Sequence, residues 1–168
     1  MTIDKIDWNK LKTYAAAARR SFEELCYQLV RLERGPNARI VRVDGSGGDG
    51  GVEFYETSTS GDELGWQAKF FWPDVRLTPG RKKQIKESLQ KACIEHPRLV
   101  TWTLITPSNL TATEQAWFDT ELRDATHNKA PVVAKGRVIS LAHMPESEIV
   151  ARLAAPAAAG LRTLFFGD

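Results

Sequence analysis

The amino-acid sequence predicts an α/β fold in which a mixed central β-sheet is flanked by helices on both faces. The first observation is the order of the elements, which runs helix, strand, a hairpin of two strands, helix, strand, helix and strand. The second is the segment 98–105, where apolar side chains occupy both faces, as in a strand covered on both sides. The third is composition, since 42% hydrophobic and 26% charged residues over 168 positions are typical of one globular domain.

The first part of the chain is predicted to be helical over residues 8–34, as a short leading helix followed by a longer one. Four alanines at 15–18 favour a helix, and Ser21 is a candidate N-cap for the longer segment. Apolar residues then recur at three- and four-residue spacing, which predicts one buried stripe formed by Phe22, Leu25, Leu29 and Leu32. Gly35 and the proline after it predict the end of this helix.

Three β segments follow the helix. Residues 38–43 predict a first strand that leads into a glycine-rich loop. Residues 51–57 and 64–71 are joined by turn-forming residues at 58–62, and we expect them to pair as a hairpin. Strand periodicity places Val52 with Phe54 on one face. It places Glu53 with Tyr55 on the other face. In the second strand one face carries Leu64, Trp66, Ala68 and Phe70, and the opposite face carries Gln67 and Lys69.

The hairpin would bring Asp49 or Glu53 alongside Gln67 and Lys69. An acid, an amide oxygen and an ammonium group at one point can hold a divalent cation and a phosphate, because Mg²⁺ needs about six oxygen ligands and usually keeps several waters. The lysine could stabilise charge on the phosphate or orient an attacking water. A Walker-type phosphate loop is disfavoured, because no Gly-Lys-Ser/Thr follows the glycines.

Asp49 within the glycine-rich residues 48–53, followed by Gln67, Ala68 and Lys69, resembles the Mrr-like branch of the restriction-endonuclease superfamily, the metal-dependent nucleases of the motif PD-(D/E)xK. The resemblance implies that Asp49 is the metal-binding acid, that Gln67 replaces the usual second acid and that Lys69 is the catalytic lysine. Residues 22–25 resemble the first-helix motif of the same branch, which implies that Glu23 joins the metal site. No proline precedes Asp49, and glutamine is a weaker Mg²⁺ ligand than a carboxylate, so help from Glu23 or Glu53 is expected.

The resemblance implies a restriction-endonuclease-like core and a Mg²⁺-dependent hydrolysis of DNA phosphodiesters, with Mn²⁺ able to replace Mg²⁺. Its implied partners are double-stranded DNA, further copies of the chain when active, and C-terminal NTPase and sensor domains in a larger bacterial antiviral defence protein. Two alternatives stay open, a catalytically silent DNA-binding module and a protein-interaction domain of the same fold. Glu23 has its own alternative, a carboxylate favoured by the positive end of its helix.

Residues 81–94 predict a helix with Ile85, Leu89 and Cys93 facing inward. It is the most basic element of the chain, through Arg81, Lys82, Lys83, Lys86 and Lys91. This charge is either a solvated face or a phosphate-contacting surface beside the site, where each neutralised phosphate adds to the salt dependence of binding. Gln84 and Ser88 share one face of the helix and are further DNA-binding candidates.

The second half of the chain continues the alternation of helix and strand. Thr111 or Thr113 is a candidate N-cap of a helix that carries Trp117, Phe118 and Leu122. Residues 132–133 and 137–141 predict another strand or two, and residues 145–153 predict a short helix with a proline at its start.

Several classes of protein are disfavoured. The formal charge of +2, from 23 basic and 21 acidic residues, does not by itself indicate nucleic-acid binding. Cys26 and Cys93 lie in apolar helical patterns, which favours reduced buried thiols. The histidines lack ligand spacing and do not predict a zinc site, namely His96, His127 and His143. The longest apolar run falls short of the ~18 residues that span a bilayer, and the polar start is unlike a signal peptide. We therefore expect a cytoplasmic protein without membrane contact.

The domain prediction is one nuclease domain over residues 1–168, with an N-terminal helical extension over about 1–20. Residues 154–168 resemble a linker by composition and then become apolar, through Leu161, Leu164, Phe165 and Phe166. Exposed apolar side chains are costly in water. The tail therefore either folds back on this domain or leads into a following domain, in which case the chain is one effector domain of a larger protein.

Overall fold

The computed structural model describes residues 5–13, 17–44, 50–124 and 138–167. They contain a sheet of five strands in the spatial order β1, β2, β3, β4, β5. The strands are β1 (Ile40–Arg42), β2 (Phe54–Thr57), β3 (Glu63–Ala68), β4 (Leu99–Ile105) and β5 (Ser140–Met144). β2 pairs antiparallel with β1 and β3, whereas β4 pairs parallel with β3 and β5. The mixed sheet that the sequence predicts is therefore present.

The helices lie on both faces of this sheet. They are α1 (Ala18–Arg34), α2 (Pro79–Glu95), α3 (Ala112–Trp117), α4 (Glu146–Ala154) and α5 (Ala159–Phe166), with a π-helical turn (Phe118–Leu122) after α3 and 3-10 turns at Trp8–Lys10 and Pro156–Ala158. One buried cluster joins α1, α4 and α5 to the sheet, and we call its side of the sheet the α1 face. The other cluster joins α2 and α3 to the sheet, and its side is the α2 face. The prediction of an α/β fold is confirmed.

Helix α1 differs from its prediction at two positions. Ser21 is not the N-cap, because the helix starts at Ala18 after an extended Ala17, and Ser21 is buried inside it. Leu32 is 43% exposed. The buried stripe of α1 follows the 3.6-residue period of the helix, and in this turn it passes through Leu29 and Val30 and not through Leu32. The helix ends at Gly35, as predicted. Gly35 takes a φ of 86°, and its N–H donates to the carbonyl oxygen of Arg31 at 3.1 Å.

The hairpin of β2 and β3 is confirmed, with Phe54 opposite Trp66 and Thr57 opposite Glu63. Along the second strand the predicted apolar residues all pack on the α1 face, namely Leu64, Trp66, Ala68 and Phe70. The prediction that Val52 shares a face with Phe54 is wrong. Val52 packs on the α2 face, away from Phe54, because the regular strand begins only at Phe54 and the preceding residues form a turn.

That turn brings Gly51 beneath α2. Gly51 has a φ of 80°, and a Cβ there would lie 2.0 Å from the Ser88 carbonyl oxygen and 2.4 Å from the Ala92 nitrogen. The indole N–H of Trp102 donates to the Gly51 carbonyl oxygen at 3.0 Å. Glycine is required here both for the backbone conformation and for the close approach of α2.

Helix α2 is longer than predicted, because Thr78 caps its first turn by accepting from the Arg81 N–H at 3.3 Å. The predicted inward residues are buried, namely Ile85, Leu89 and Cys93. Strand β4 is paired on both sides and covered on both faces, as predicted. Cys26 and Cys93 are buried, as predicted.

In the second half of the chain, Thr111 is the N-cap of α3, in a capping box with Glu114. The predicted strand at 137–141 is found as β5, whose bounds start and end three residues later. The strand proposed at 132–133 lies outside the described residues. Pro145 precedes α4, as expected.

The C-terminal segment folds back on the domain. Instead of a linker, its described residues form a 3-10 turn and α5. Phe165 is buried in the cluster of the α1 face, and its carbonyl oxygen accepts from the Lys12 N–H at 2.8 Å. At the other end of the chain, only Trp8–Lys10 is helical before α1 among the residues described.

No single helix in the described part of the chain is both long enough and apolar enough to cross a membrane. Helix α4 and the segment Pro156–Phe166 meet the length and composition criteria only when they are taken together, and they are bent by 92°.

Candidate functional site

Four of the residues predicted for a metal site can be placed, and they are Glu23, Glu53, Gln67 and Lys69. Asp49 lies outside the described residues, as does His127. The geometry of the site is therefore built from α1, from the start of β2 and from the end of β3.

Glu53 and Gln67 are in direct contact. Their backbones are adjacent, because the Glu53 N–H donates to the Trp66 carbonyl oxygen at 2.7 Å and continues the pairing of β2 with β3. The Gln67 side chain is 1% exposed, and its Nε2 donates to Glu53 Oε1 at 2.8 Å. A carboxylate accepts and does not donate, so the amide nitrogen must face Glu53. The amide oxygen of Gln67 is thereby turned away from Glu53.

Glu23 is the candidate acid on α1. It lies in the second turn, and no acidic residue occupies the first turn of the helix. Stabilisation by the helix dipole falls off within the first turn, so the dipole does not explain Glu23. Its carboxylate is 20% exposed and lies 3.3 Å from the Arg19 guanidinium.

The buried thiol of Cys26 is influenced by the charges of both Glu23 and Glu53. Cys26 is fully buried one helical turn after Glu23. Burial raises the pKa of this thiol well above its ordinary value, and the negative charges of Glu53 and Glu23 raise the pKa further. Two carboxylates from different elements thus act on the same thiol.

Lys69 follows directly on β3 and extends the sheet. Its N–H donates to the Ile105 carbonyl oxygen at 2.9 Å, so the chain remains extended beyond Ala68. In an extended chain Lys69 and Gln67 lie on the same face, about 7 Å apart along the strand. The Lys69 side chain is half-buried. An ammonium group therefore emerges on the side of the sheet that carries the amide.

The donor set consists of hard oxygen atoms. Glu23, Glu53 and Gln67 offer two carboxylates and one amide oxygen, and water could complete a shell of about six ligands around Mg²⁺. Softer metals prefer thiolate or imidazole ligands. Among the residues that the structure describes, no group of three or more His, Cys, Asp or Glu side chains is arranged to hold a metal ion. Any cation at this place would therefore depend on the amide of Gln67 or on water.

The basic residues at the start of α2 make contacts within the protein. Arg81 donates to the carbonyl oxygens of Asp74 and, at 2.9 Å, of Arg76, and its guanidinium lies 4.9 Å from the Phe71 ring centroid. Lys82 lies 5.5 Å from the ring centroid of Trp117. Arg81 therefore braces the connection between β3 and α2, and Lys82 packs against α3.

The remaining DNA-binding candidates divide by exposure. Lys83, Gln84 and Lys86 are exposed, and Lys83 pairs with Glu87 at 3.8 Å. Ser88 is half-buried over Gly51. Gln84 and Ser88 therefore share a helix face but differ in their surroundings.

Glu114 is a residue of this region that the sequence analysis did not single out. Its buried carboxylate accepts from the Leu77 N–H at 2.6 Å, from Arg76 Nη1 at 3.0 Å and from the Thr111 N–H at 2.9 Å. Burial acts to raise the pKa of Glu114, but the hydrogen bonds from Thr111 and Leu77 and the charge of Arg76 outweigh it and lower the pKa. The available signal was the Thr-x-x-Glu spacing of a capping box. Glu114 thus fixes the connection between Lys69 and α2.

The two described histidines are held by neighbouring side chains. His96 Nδ1 lies 2.7 Å from Glu63 Oε2. His143 Nε2 lies 2.7 Å from Thr106 Oγ1, and burial lowers the pKa of His143 to about 4. His143 is therefore neutral at pH 7.

The chain was compared with protein-family models and with curated proteins. No family model and no curated protein matches it.

Proposed function

We propose that this chain is a metal-dependent DNA endonuclease whose site is formed by Glu53, Gln67, Glu23 and Lys69. The observation that carries the proposal is the contact of Glu53 with Gln67 at 2.8 Å, with Lys69 two residues after Gln67 in a chain that stays bonded to β4. An acid, an amide and a lysine in this arrangement suit the cleavage of a phosphodiester, because the reaction needs a bound cation and a positive charge near the phosphate.

The residues of the proposed site fall into two groups, metal ligands and a lysine that acts on the water and the phosphate. Glu53 and Glu23 supply carboxylate ligands. The amide oxygen of Gln67, which faces away from Glu53 in this structure, supplies a neutral ligand once the amide rotates toward the cation. Lys69 orients the attacking water and stabilises charge on the phosphate as the bond from phosphorus to the leaving oxygen breaks. A Mg²⁺ ion held by these oxygen atoms would polarise the phosphate and lower the pKa of a bound water.

The proposal includes Asp49 as a further acid. The resemblance to the Mrr-like branch names Asp49 as the first acid, whereas the contact with Gln67 favours Glu53. The variants Asp49→Asn and Glu53→Gln tell whether one acid or both bind the metal, because the loss of a metal ligand should lower the cleavage rate.

The wider proposal follows the same resemblance. The chain would have a restriction-endonuclease-like core and would act on double-stranded DNA in the cytoplasm, as the effector of a bacterial antiviral defence protein that is active as an oligomer. Mn²⁺ would replace Mg²⁺, because both accept oxygen ligands.

Plasmid cleavage with Mg²⁺ or Mn²⁺ tests the proposal, over a range of protein concentrations that allows oligomers to form. We expect Lys69→Ala to lose about 10²–10³-fold in rate and Glu53→Gln to lose cleavage that added Mn²⁺ restores in part. Glu87→Gln is the matched control, since Glu87 is an exposed acid on α2. DNA binding without cleavage by the intact protein would favour the silent binding module. Cleavage that persists in both site variants would refute the assignment.

A further inference from the structure

Two stacked rings join the backbone segments that carry Glu23 and Lys69. Phe22 and Phe70 stack with ring centroids 4.9 Å apart and planes inclined by 30°. Phe22 immediately precedes Glu23 in α1, and Phe70 immediately follows Lys69 at the end of β3. Movement of one ring therefore shifts the backbone next to a proposed site residue.

Trp8 contacts both rings in edge-to-face geometry. Its ring centroid lies 5.3 Å from that of Phe22 at an interplanar angle of 78°, and 5.9 Å from that of Phe70 at 71°. Trp8 is 2% exposed, so these contacts are dry. Edge-to-face contacts of this kind are favourable and directional. The indole thus fixes the two phenyl rings relative to each other.

Trp8 is itself held in one orientation. Its indole N–H donates to the Pro107 carbonyl oxygen at 2.8 Å and to Glu146 Oε2 at 3.1 Å. Pro107 follows β4, and Glu146 begins α4. The segment around Trp8 is also fixed to α5 by the bond from Lys12 to Phe165. Residues 5–13 are therefore part of the packed domain.

We propose that Trp8 is a positioning residue, which acts through Phe22 and Phe70 to hold Glu23 and Lys69 at a fixed separation. The catalytic consequence rests on the proposed function above, whereas the mechanical coupling does not.

Hydrogen exchange measured by mass spectrometry tests the coupling. In Trp8→Ala we expect faster exchange in residues 20–26 and 68–72, which include the Lys69 N–H bonded to Ile105, and unchanged exchange in α2. Leu122→Ala is the control, because Leu122 is fully buried in the cluster of the α2 face. It should speed exchange on that face and leave residues 20–26, in the cluster of the α1 face, unchanged. Faster exchange confined to residues 5–13, or spread evenly over the chain, would overturn the coupling.

Cleavage kinetics test the catalytic consequence. A shift of about 1 Å in a catalytic group costs about 100-fold in rate, so Trp8→Ala should lower kcat by about 10- to 100-fold while the KM for DNA changes little. Trp8→Phe keeps an aromatic edge and should restore most of the rate. Leu122→Ala, assayed well below its unfolding temperature, should keep its kcat. An equal loss in Leu122→Ala, or full activity in Trp8→Ala, overturns the positioning role.

Failure of the proposed function and failure of the coupling give different results. If the wild-type protein cleaves no DNA with either metal, the proposed function fails and the catalytic role of Trp8 fails with it, while hydrogen exchange still decides the coupling. If Trp8→Ala does not fold, Trp8→Leu keeps an apolar side chain without the ring, and the same comparisons apply to it.

Discussion

The side-chain nitrogen of Gln67 lies 2.8 Å from a carboxylate oxygen of Glu53, and this bond joins the polar residue of β3 to the acid that precedes β2. A neutral amide beside a half-buried carboxylate donates a hydrogen bond to the acid without adding a second negative charge. The stability of the protein should therefore depend on whether residue 67 carries a neutral amide or a second carboxylate.

The first prediction concerns the variant Gln67→Glu, which changes the partner of Glu53. Gln67→Glu replaces the donor by a second carboxylate, so we expect the free energy of unfolding to fall by about 1–3 kcal/mol without metal. If the site binds a divalent cation, Mn²⁺ should restore stability, by about 2.7 kcal/mol at a concentration 100 times the Kd. Thermal unfolding with and without Mn²⁺ measures both effects.

The matched control for this variant is Gln84→Glu, because Gln84 is exposed on α2. It should change stability little and show no response to Mn²⁺. An equal response of the two variants, or none in Gln67→Glu, would argue against a cation at this pair.

Gly51 gives a second prediction, which concerns stability. Gly51→Ala places a Cβ against the α2 backbone and keeps a positive φ, so α2 must move or the turn must change. Overpacking and left-handed strain together cost about 2–5 kcal/mol. Gly160→Ala is the control, since nothing lies within 4 Å of a Cβ there and alanine favours the helix α5. Urea unfolding should show opposite signs for the two variants.

The sequence predicted the elements whose signals are local. The hairpin was identified because turn formers at 58–62 separate two β segments, and α2 because its inward residues recur at helical spacing. Val52 was misplaced because alternation holds only within a regular strand, and the turn before Phe54 reverses it. That turn depends on packing beneath α2, which no local pattern encodes.

The candidate site was predictable to a similar degree. The alternation along β3 placed Gln67 and Lys69 together, and pairing of the hairpin brought Glu53 to Gln67. The approach of Glu23 depends on how α1 packs across the sheet. The basic helix was harder to interpret, because a count of charges does not reveal that Arg81 and Lys82 lie over the rings of Phe71 and Trp117.

Glu114 gives a third prediction. Glu114→Gln removes a charged acceptor from buried N–H groups, and we expect a loss of about 1–3 kcal/mol in the free energy of unfolding. The folded pKa of Glu114 is lowered, so its contribution is present above its ordinary pKa of 4.5 and is lost as the pH falls through the folded pKa. Urea unfolding at pH 7 measures the loss. Glu121→Gln, at an exposed position, should change stability little.

His143 gives the last prediction, in a different range of pH. Burial lowers its folded pKa to about 4 from an ordinary value of 6.5, so the unfolded chain binds more protons between these values. The stability that comes from keeping His143 neutral is present above pH 6.5 and is lost as the pH falls from 6.5 to 4. His143→Gln keeps a donor for Thr106 without a titrating ring, so it should flatten the fall in stability between pH 7 and pH 5. Urea unfolding at these two values gives the slope. His96→Gln, which changes the histidine bonded to Glu63, is the comparison. If it flattens the slope instead and His143→Gln leaves it unchanged, burial of His143 is not the cause of the acid sensitivity.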